Sequence, residues 1–411
     1  MTENNLLVVQ GGGPSPVLNT TLASLIDEVT QHAGKCVNGA SKLGKVLGAR
    51  SGNLGLVSGH VTDLSGLSRQ ELDSLRTSPG AALGTSRAKA SDEDFERIVE
   101  NLKRWGVRYL IFMGGNGTMR GAEVTARFCR ESGYEVQVVG APKTVDNDIA
   151  GTDRCPGYAS AAYYVAQSTR DLGMDVRSLP QPVSIFETMG RSAGWLAAAS
   201  VAAKTSEEDA PHLVYVPERP FAMDAFLSAV DNIVSRRGWA IVVASEGIRD
   251  EAGQLVYQTE DPVQADALKR PLTGGVGQYL AETVAKQLKF RCRSEKPGLL
   301  GRASMLHASA QDRKDAEIVG RAAIQALLAG ETEKMVALLP LPAADHALVP
   351  LSHVAGAERT LPDEWMRAGD IPVKEGFLQY LRPLIGELTP YHPPFTFSKD
   401  ISGDFEYAED N

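Results

Sequence analysis

The stretch RYLIFMGGNGT, residues 108–118, decides how the chain folds. Arg108–Met113 is a short apolar run suited to a buried strand, and it stops at Gly114-Gly115-Asn116-Gly117-Thr118. Beyond it, Gly121–Ser132 carries apolar residues at helical spacing. A strand, a glycine turn and a helix in that order form one unit of a parallel sheet, and consecutive bare amides with a helix N-terminus make a ready anion site. A tight turn needs positive φ at one glycine, so three glycines in four positions ask for a further reason.

Working outward, the same alternation recurs. Strands are expected at Leu6–Gln10, Val136–Ala141, Val183–Met189, Leu213–Pro217 and Ala240–Ser245, and helices at Asp92–Trp105 and Ala159–Leu172. The class is α/β. In open parallel sheets ligands bind beyond the carboxyl ends of the strands, so the loops carry the chemistry. The first strand runs into Gly11-Gly12-Gly13-Pro14-Ser15-Pro16, whose backbone can approach a phosphate closely, although a packing turn explains it equally well. The third ends in Pro142-Lys143-Thr144-Val145-Asp146-Asn147-Asp148, where two carboxylates share a loop with an ammonium. Like charges this close repel unless a cation or proton is shared. Mg²⁺ at phosphate oxygens would relieve them, and one carboxylate could accept a hydroxyl proton. The plainer alternative is a solvated acidic turn, which three loaded loops in succession argue against. Positive charge follows in Met189-Gly190-Arg191, in Arg87 of Leu-Gly-Thr-Ser-Arg, and in Arg293 and Arg302 flanking Lys296-Pro297-Gly298; Glu246-Gly247 ends another strand.

With 411 residues the chain is too long for one ordinary core, so two domains are expected. A net charge of −9 gives no electrostatic reason for a nucleic-acid partner. No apolar stretch approaches the roughly 20 residues that span a membrane, and the opening segment lacks a basic flank; a cytoplasmic location is expected. Cys36, Cys129, Cys155 and Cys292 form no close pair and read as reduced structural thiols.

These segments together resemble the phosphofructokinase family: five separated motifs occur in the family's order over about residues 5 to 340. The resemblance implies two facing Rossmann-like doubly wound domains. One, donor-binding, spans 1–157 plus about 304–345; the other, sugar-phosphate-binding, spans 158–303; an irregular extension occupies 346–411. It also implies roles. Gly12, Gly13, Arg87, Gly115, Gly117 and Thr118 would hold donor phosphates. Asp146 would be the base, with Lys143 beside it; Asp148 and Asn116 would face Mg²⁺, and Arg191 would stabilise the phosphoryl group in flight. Thr144, Met189, Gly190 and Glu246 would surround the sugar, with Arg293 and Arg302 on its 6-phosphate. Fructose 6-phosphate is the implied acceptor and a homodimer or homotetramer the implied assembly.

The donor is either pyrophosphate or ATP. Pyrophosphate users usually carry an acid where Gly117 stands and a lysine at Lys143, so the two positions point in opposite directions. Asp153-Arg-Cys-Pro-Gly-Tyr158, Gly190-Arg-Ser-Ala-Gly-Trp195, Val216-Pro-Glu-Arg-Pro-Phe221 and Tyr380-Leu-Arg-Pro-Leu-Ile-Gly386 are similar to the short bacterial pyrophosphate-dependent branch, and pyrophosphate is the expected donor. Asn116 replaces a usual aspartate, Leu299 a usual histidine, and Pro182 an arginine that simple bacterial ATP enzymes receive from a neighbouring subunit. A non-catalytic sugar-phosphate-binding homologue is the rival of another class, against which the retained Asp146, Asp148 and Arg191 argue. A lipid or dinucleotide kinase would share only the glycine loop.

Overall fold

A computed structural model describes residues 4–32, 36–37, 41–86, 90–178, 183–258, 274–343 and 345–392. Arg87 and Pro182 lie outside the described residues. The strands in chain order are β1 (Asn5–Gln10), β2 (Cys36–Val37), β3 (Ser41–Lys42), β4 (Val46–Ala49), β5 (Val61–Asp63), β6 (Val107–Gly114) and β7 (Gln137–Pro142), followed by β8 (Val183–Thr188), β9 (Leu213–Tyr215), β10 (Ala240–Ser245), β11 (Cys292–Glu295), β12 (Lys334–Leu338) and β13 (His346–Pro350). They form a seven-stranded sheet, β13-β12-β7-β6-β1-β4-β5, a four-stranded sheet, β11-β8-β10-β9, and the small β2-β3 pair. The larger sheet is parallel except at its two antiparallel edges, β5 and β13, and the smaller is parallel throughout.

Strand alternation divides the apolar residues between two faces of each sheet. In β1, Leu6 and Val8 pack with helices Leu18–Gln31 and Ala310–Leu328, while Leu7 and Val9 pack with helices Asp92–Arg104 and Asn116–Glu131. Helices therefore cover both faces, as a doubly wound sheet requires. In the smaller sheet Ile185 and Val242 face helices Met223–Arg237 and Val276–Leu288; Phe186 and Val243 face helix Tyr158–Ser178. Helix Asp92–Arg104 starts where expected because Ser91 and Asp94 cap it reciprocally.

Within the extension expected to be irregular, the described residues 346–392 include regular elements. β13 adds an edge strand to the larger sheet, and helix Glu375–Ile385 buries Phe377, Leu381, Leu384 and Ile385 in the core that helix Tyr158–Ser178 shares with the smaller one. The proline-rich composition obscured this helix, which contains Pro383. Four buried large apolar side chains contribute on the order of 6–12 kcal/mol, against about 3 kcal/mol for a proline inside a helix, so packing prevails. Among the described residues no helix is long and apolar enough to cross a membrane.

Candidate active site

In the larger sheet β1 lies between β4 and β6, which places the loops after β1 and β6 side by side at a topological switch point. The Gly11 amide donates to the Met113 carbonyl at 2.8 Å. The Thr118 hydroxyl is wedged between Gly11 and Gly114, and a Cβ on either glycine would collide with it. Expected as a phosphate contact, Thr118 is thus also the reason both neighbours lack side chains. Gly115 is the N-cap of helix Asn116–Glu131 and carries no side-chain cap; the Thr118 amide donates to the Gly115 carbonyl at 2.9 Å, leaving the Asn116 and Gly117 amides available to an anion. Gly12 adopts φ +74°, and a Cβ there would stand 3.4 Å from Lys143 Nζ. Around Gly117 there is open space, with nothing within 4 Å of an added Cβ.

The acidic loop follows β7. Lys143 is buried, its amide donates to the Gly114 carbonyl at 2.9 Å and its ammonium donates to the Gly13 carbonyl. Burial, then the nearby Arg302 charge, lowers the Lys143 pKa to about 8. The Thr144 hydroxyl accepts from the Asp146 amide at 3.1 Å and holds the loop closed. Asp146 is pushed up to about 7 by burial first and by Asp148 and Glu246 next; Lys143 and Arg302 are the cations that oppose the rise. Burial also raises Asp148. A carboxylate poised near neutrality suits proton abstraction.

A cavity of about 370 Å³ opens between the two sheets, a volume within the range of small-molecule sites. The larger-sheet side contributes Gly13, Lys143, Thr144 and Asp146; the other contributes Thr188, Met189, Glu246 and Arg302. Val165 and Leu196 add apolar wall. Arg302 lies so close to Gly13 that a Cβ on that glycine would sit 2.9 Å from Nη1.

Two expected arginines are not brought into this lining. Arg191 follows Gly190 at the tip of β8, where its carbonyl packs against Gly247, and Met189 takes the lining position instead. Arg293 is exposed on edge strand β11. Gly190, with φ +128°, shapes the turn without lining the cavity; its carbonyl accepts from the Ser245 hydroxyl.

Three polar lining residues had no assigned role. Glu187 is buried, accepts from the Gly275 and Gly277 amides at 2.9 and 2.8 Å, and pairs with Lys296 Nζ at 3.1 Å. Lys296 thereby brings a positioned charge to the cavity wall. Thr188 Oγ1 is buried without a hydrogen-bond partner among the described residues. The Lys296-Pro297-Gly298 turn was the available signal for the lysine; Glu187 and Thr188 look like ordinary strand residues.

Among the described residues no three His, Cys, Asp or Glu side chains are grouped to enclose a metal ion. Asp148 accepts from Asn116 Nδ2 at 3.1 Å, while Asn116 Oδ1 is buried with no partner among the described residues. This pair fits Mg²⁺, which takes one or two protein oxygens and completes its shell with water and substrate phosphates.

Paired α/β sheets with bare amides, a near-neutral acid and cations at their facing strand tips define a phosphoryl-transfer enzyme. The chain belongs to the phosphofructokinase family, whose model matches residues 5–327. It is 36% identical to the pyrophosphate–fructose 6-phosphate 1-phosphotransferase of Xanthomonas campestris, over 94% of this chain and 92% of that protein. The ATP-dependent 6-phosphofructokinase of Amycolatopsis methanolica is 30% identical, over 80% of this chain and 70% of that one. The solved pyrophosphate-dependent phosphofructokinase of Marinobacter aquaeolei superposes with a TM-score of 0.80 at 31% identity, covering 96% and 94% of the two chains.

Proposed function

We propose that this protein transfers a phosphoryl group from pyrophosphate to the 1-hydroxyl of fructose 6-phosphate, with Mg²⁺, giving fructose 1,6-bisphosphate. The observation that carries the reading is Asp146: a carboxyl group raised to about 7, on a cavity wall, flanked by Lys143 and Arg302 and facing the glycine turns. Asp146 takes the proton of the attacking hydroxyl. Gly12, Gly13 and the amides beginning at Gly115 receive the donor phosphates, and the Lys143 ammonium meets the charge that builds up during transfer. Met189, Glu246, Thr144 and the unpartnered Thr188 hydroxyl orient the sugar, while Lys296 and Arg302 hold its phosphate. Asp148 and Asn116 would hold Mg²⁺, which supplies charge neutralisation on the donor when bound. Arg191 would stabilise the phosphoryl group in flight. The donor half is built on the larger sheet and the sugar half on the smaller, and a cytoplasmic homo-oligomer is the setting.

The pH dependence follows from the two titrating groups. kcat/KM rises through about pH 7 as Asp146 loses its proton and falls above about pH 8 as Lys143 loses its own. Lys143→Arg, which stays charged, gives a slower enzyme whose alkaline limb is gone. An alkaline limb that persists in that variant removes Lys143 from this role.

The donor is tested by turnover of fructose 6-phosphate with Mg²⁺ and either pyrophosphate or ATP. Pyrophosphate is expected to exceed ATP in kcat/KM by about 10²-fold or more, a ratio a shaped site can deliver. Gly117→Asp keeps pyrophosphate turnover and removes the residue of ATP turnover. The open space at Gly117 favours the second reading, ATP as donor, and a wild type that prefers ATP establishes it. Failure of both donors leaves the non-catalytic homologue.

A further inference from the structure

Asn147, between the two acids of the catalytic loop, is fully buried and has a left-handed backbone, φ +54°. Its side chain is engaged at both ends. Oδ1 accepts from the Cys155 amide at 3.0 Å, and Nδ2 donates to the Tyr380 hydroxyl at 2.9 Å. That hydroxyl donates in turn to the Asp153 carbonyl at 2.9 Å, so its donor and one acceptor site are both used. The Tyr380 ring is fixed independently, with Trp365 and Trp195 at centroid distances of 5.0 and 5.7 Å. A second strut reaches the same loop from the C-terminal part of the chain: the Arg359 amide donates to the Asp148 carbonyl at 2.8 Å.

We propose that Tyr380 is a positioning residue for phosphoryl transfer, holding Asn147 in its left-handed conformation and thereby setting the placement of Asp146 and Asp148. The proposal rests on the function assigned above only for its kinetic readout. Non-glycine residues in this region need support from their surroundings, and here it comes from 233 residues further along the chain. Without the hydroxyl, a buried amide donor loses its partner and the loop shifts to satisfy it. Small displacements of reacting groups are costly: a shift of about 1 Å reduces rate by as much as ~10²-fold.

Tyr380→Phe removes the hydroxyl and retains the ring. Its kcat is expected to fall about 10- to 10²-fold, with KM for fructose 6-phosphate and the thermal midpoint nearly unchanged. The effect should act through Asn147: in an Asn147→Gly background, where positive φ needs no support, adding Tyr380→Phe changes kcat less than about twofold. Wild-type kcat in Tyr380→Phe, a loss that merely follows the thermal midpoint, or full additivity with Asn147→Gly each overturns the proposal. Crystal structures of wild type and Tyr380→Phe separate it from the assigned reaction. If Asn147 and its two acidic neighbours are unmoved in the variant, the proposal fails whatever the enzyme catalyses; if they move, it stands even where neither phosphate donor is used.

Discussion

Asp146→Asn is expected to lower kcat by about 10²–10⁴-fold, the usual loss when a general base is removed, while KM for fructose 6-phosphate changes little. The substitution keeps the side chain's shape and leaves the Asp146 backbone amide free to donate to the Thr144 hydroxyl. What it removes is an acceptor for the sugar proton, which a carboxamide cannot replace. The magnitude corresponds to about 3–5 kcal/mol of barrier. Stability should move the other way. Asp146 is held near Asp148 and Glu246, whose charges, with burial, raise its pKa to about 7, so a neutral side chain relieves repulsion at pH 8. A more stable but nearly inactive protein is therefore the expected outcome. Activity within tenfold of wild type would remove Asp146 from the mechanism.

Asp315→Ala is expected to destabilise the fold by about 3–5 kcal/mol, the cost of breaking a buried ion pair from one side. Arg154 and Asp315 both have side chains only 2% exposed. The guanidinium donates through Nε and Nη2 to the two carboxylate oxygens at 2.7 and 2.8 Å, and through Nη1 to the Leu339 carbonyl at 2.6 Å. Removing the carboxylate leaves the buried cation with only the longer contact to Asp153, at 3.4 Å, as a charge partner. Arg154→Met with Asp315→Leu removes both charges and should restore most of the stability, since paired replacement of buried ions is often neutral. As a contrast, Asp73→Ala touches a pair whose arginine, Arg69, is 71% exposed, and should cost within about 1 kcal/mol. Denaturant midpoints at constant m-value measure all three. A loss below 1 kcal/mol for Asp315→Ala would refute the account. The damage should also reach activity, because Cys155, adjacent to Arg154, donates to Asn147 in the acidic loop.

The fold was legible wherever an apolar run ended in glycine or a polar cluster. All six strands expected from such runs occur, with shifts of at most two residues at their ends. Short edge strands such as β5, β11 and β13 carry too few residues for alternation to register, and helix Glu375–Ile385 was hidden by Pro383. The site was legible where chemistry lies in the loop itself: Gly13, Lys143, Thr144 and Asp146 meet in one cavity with Met189, Glu246 and Arg302. It was not legible where side-chain direction decides. Arg191, just beyond β8, and Arg293, within β11, do not line the cavity, because adjacency along the chain does not fix which way a long side chain leaves the backbone. Tyr380 could not have been paired with Asn147 from spacing, since only tertiary packing brings together residues that far apart.

The path of the backbone limits how the enzyme can breathe. The chain leaves the larger sheet after β7, returns to it at β12, and departs again after β13 to set its last described helix in the core of the smaller sheet's half. Three covalent tethers thus straddle the cleft, and a wide swing about a single pivot would strain them all at once. Any relative movement of the two sheets must therefore be shared among all three tethers, since none can yield while the other two hold.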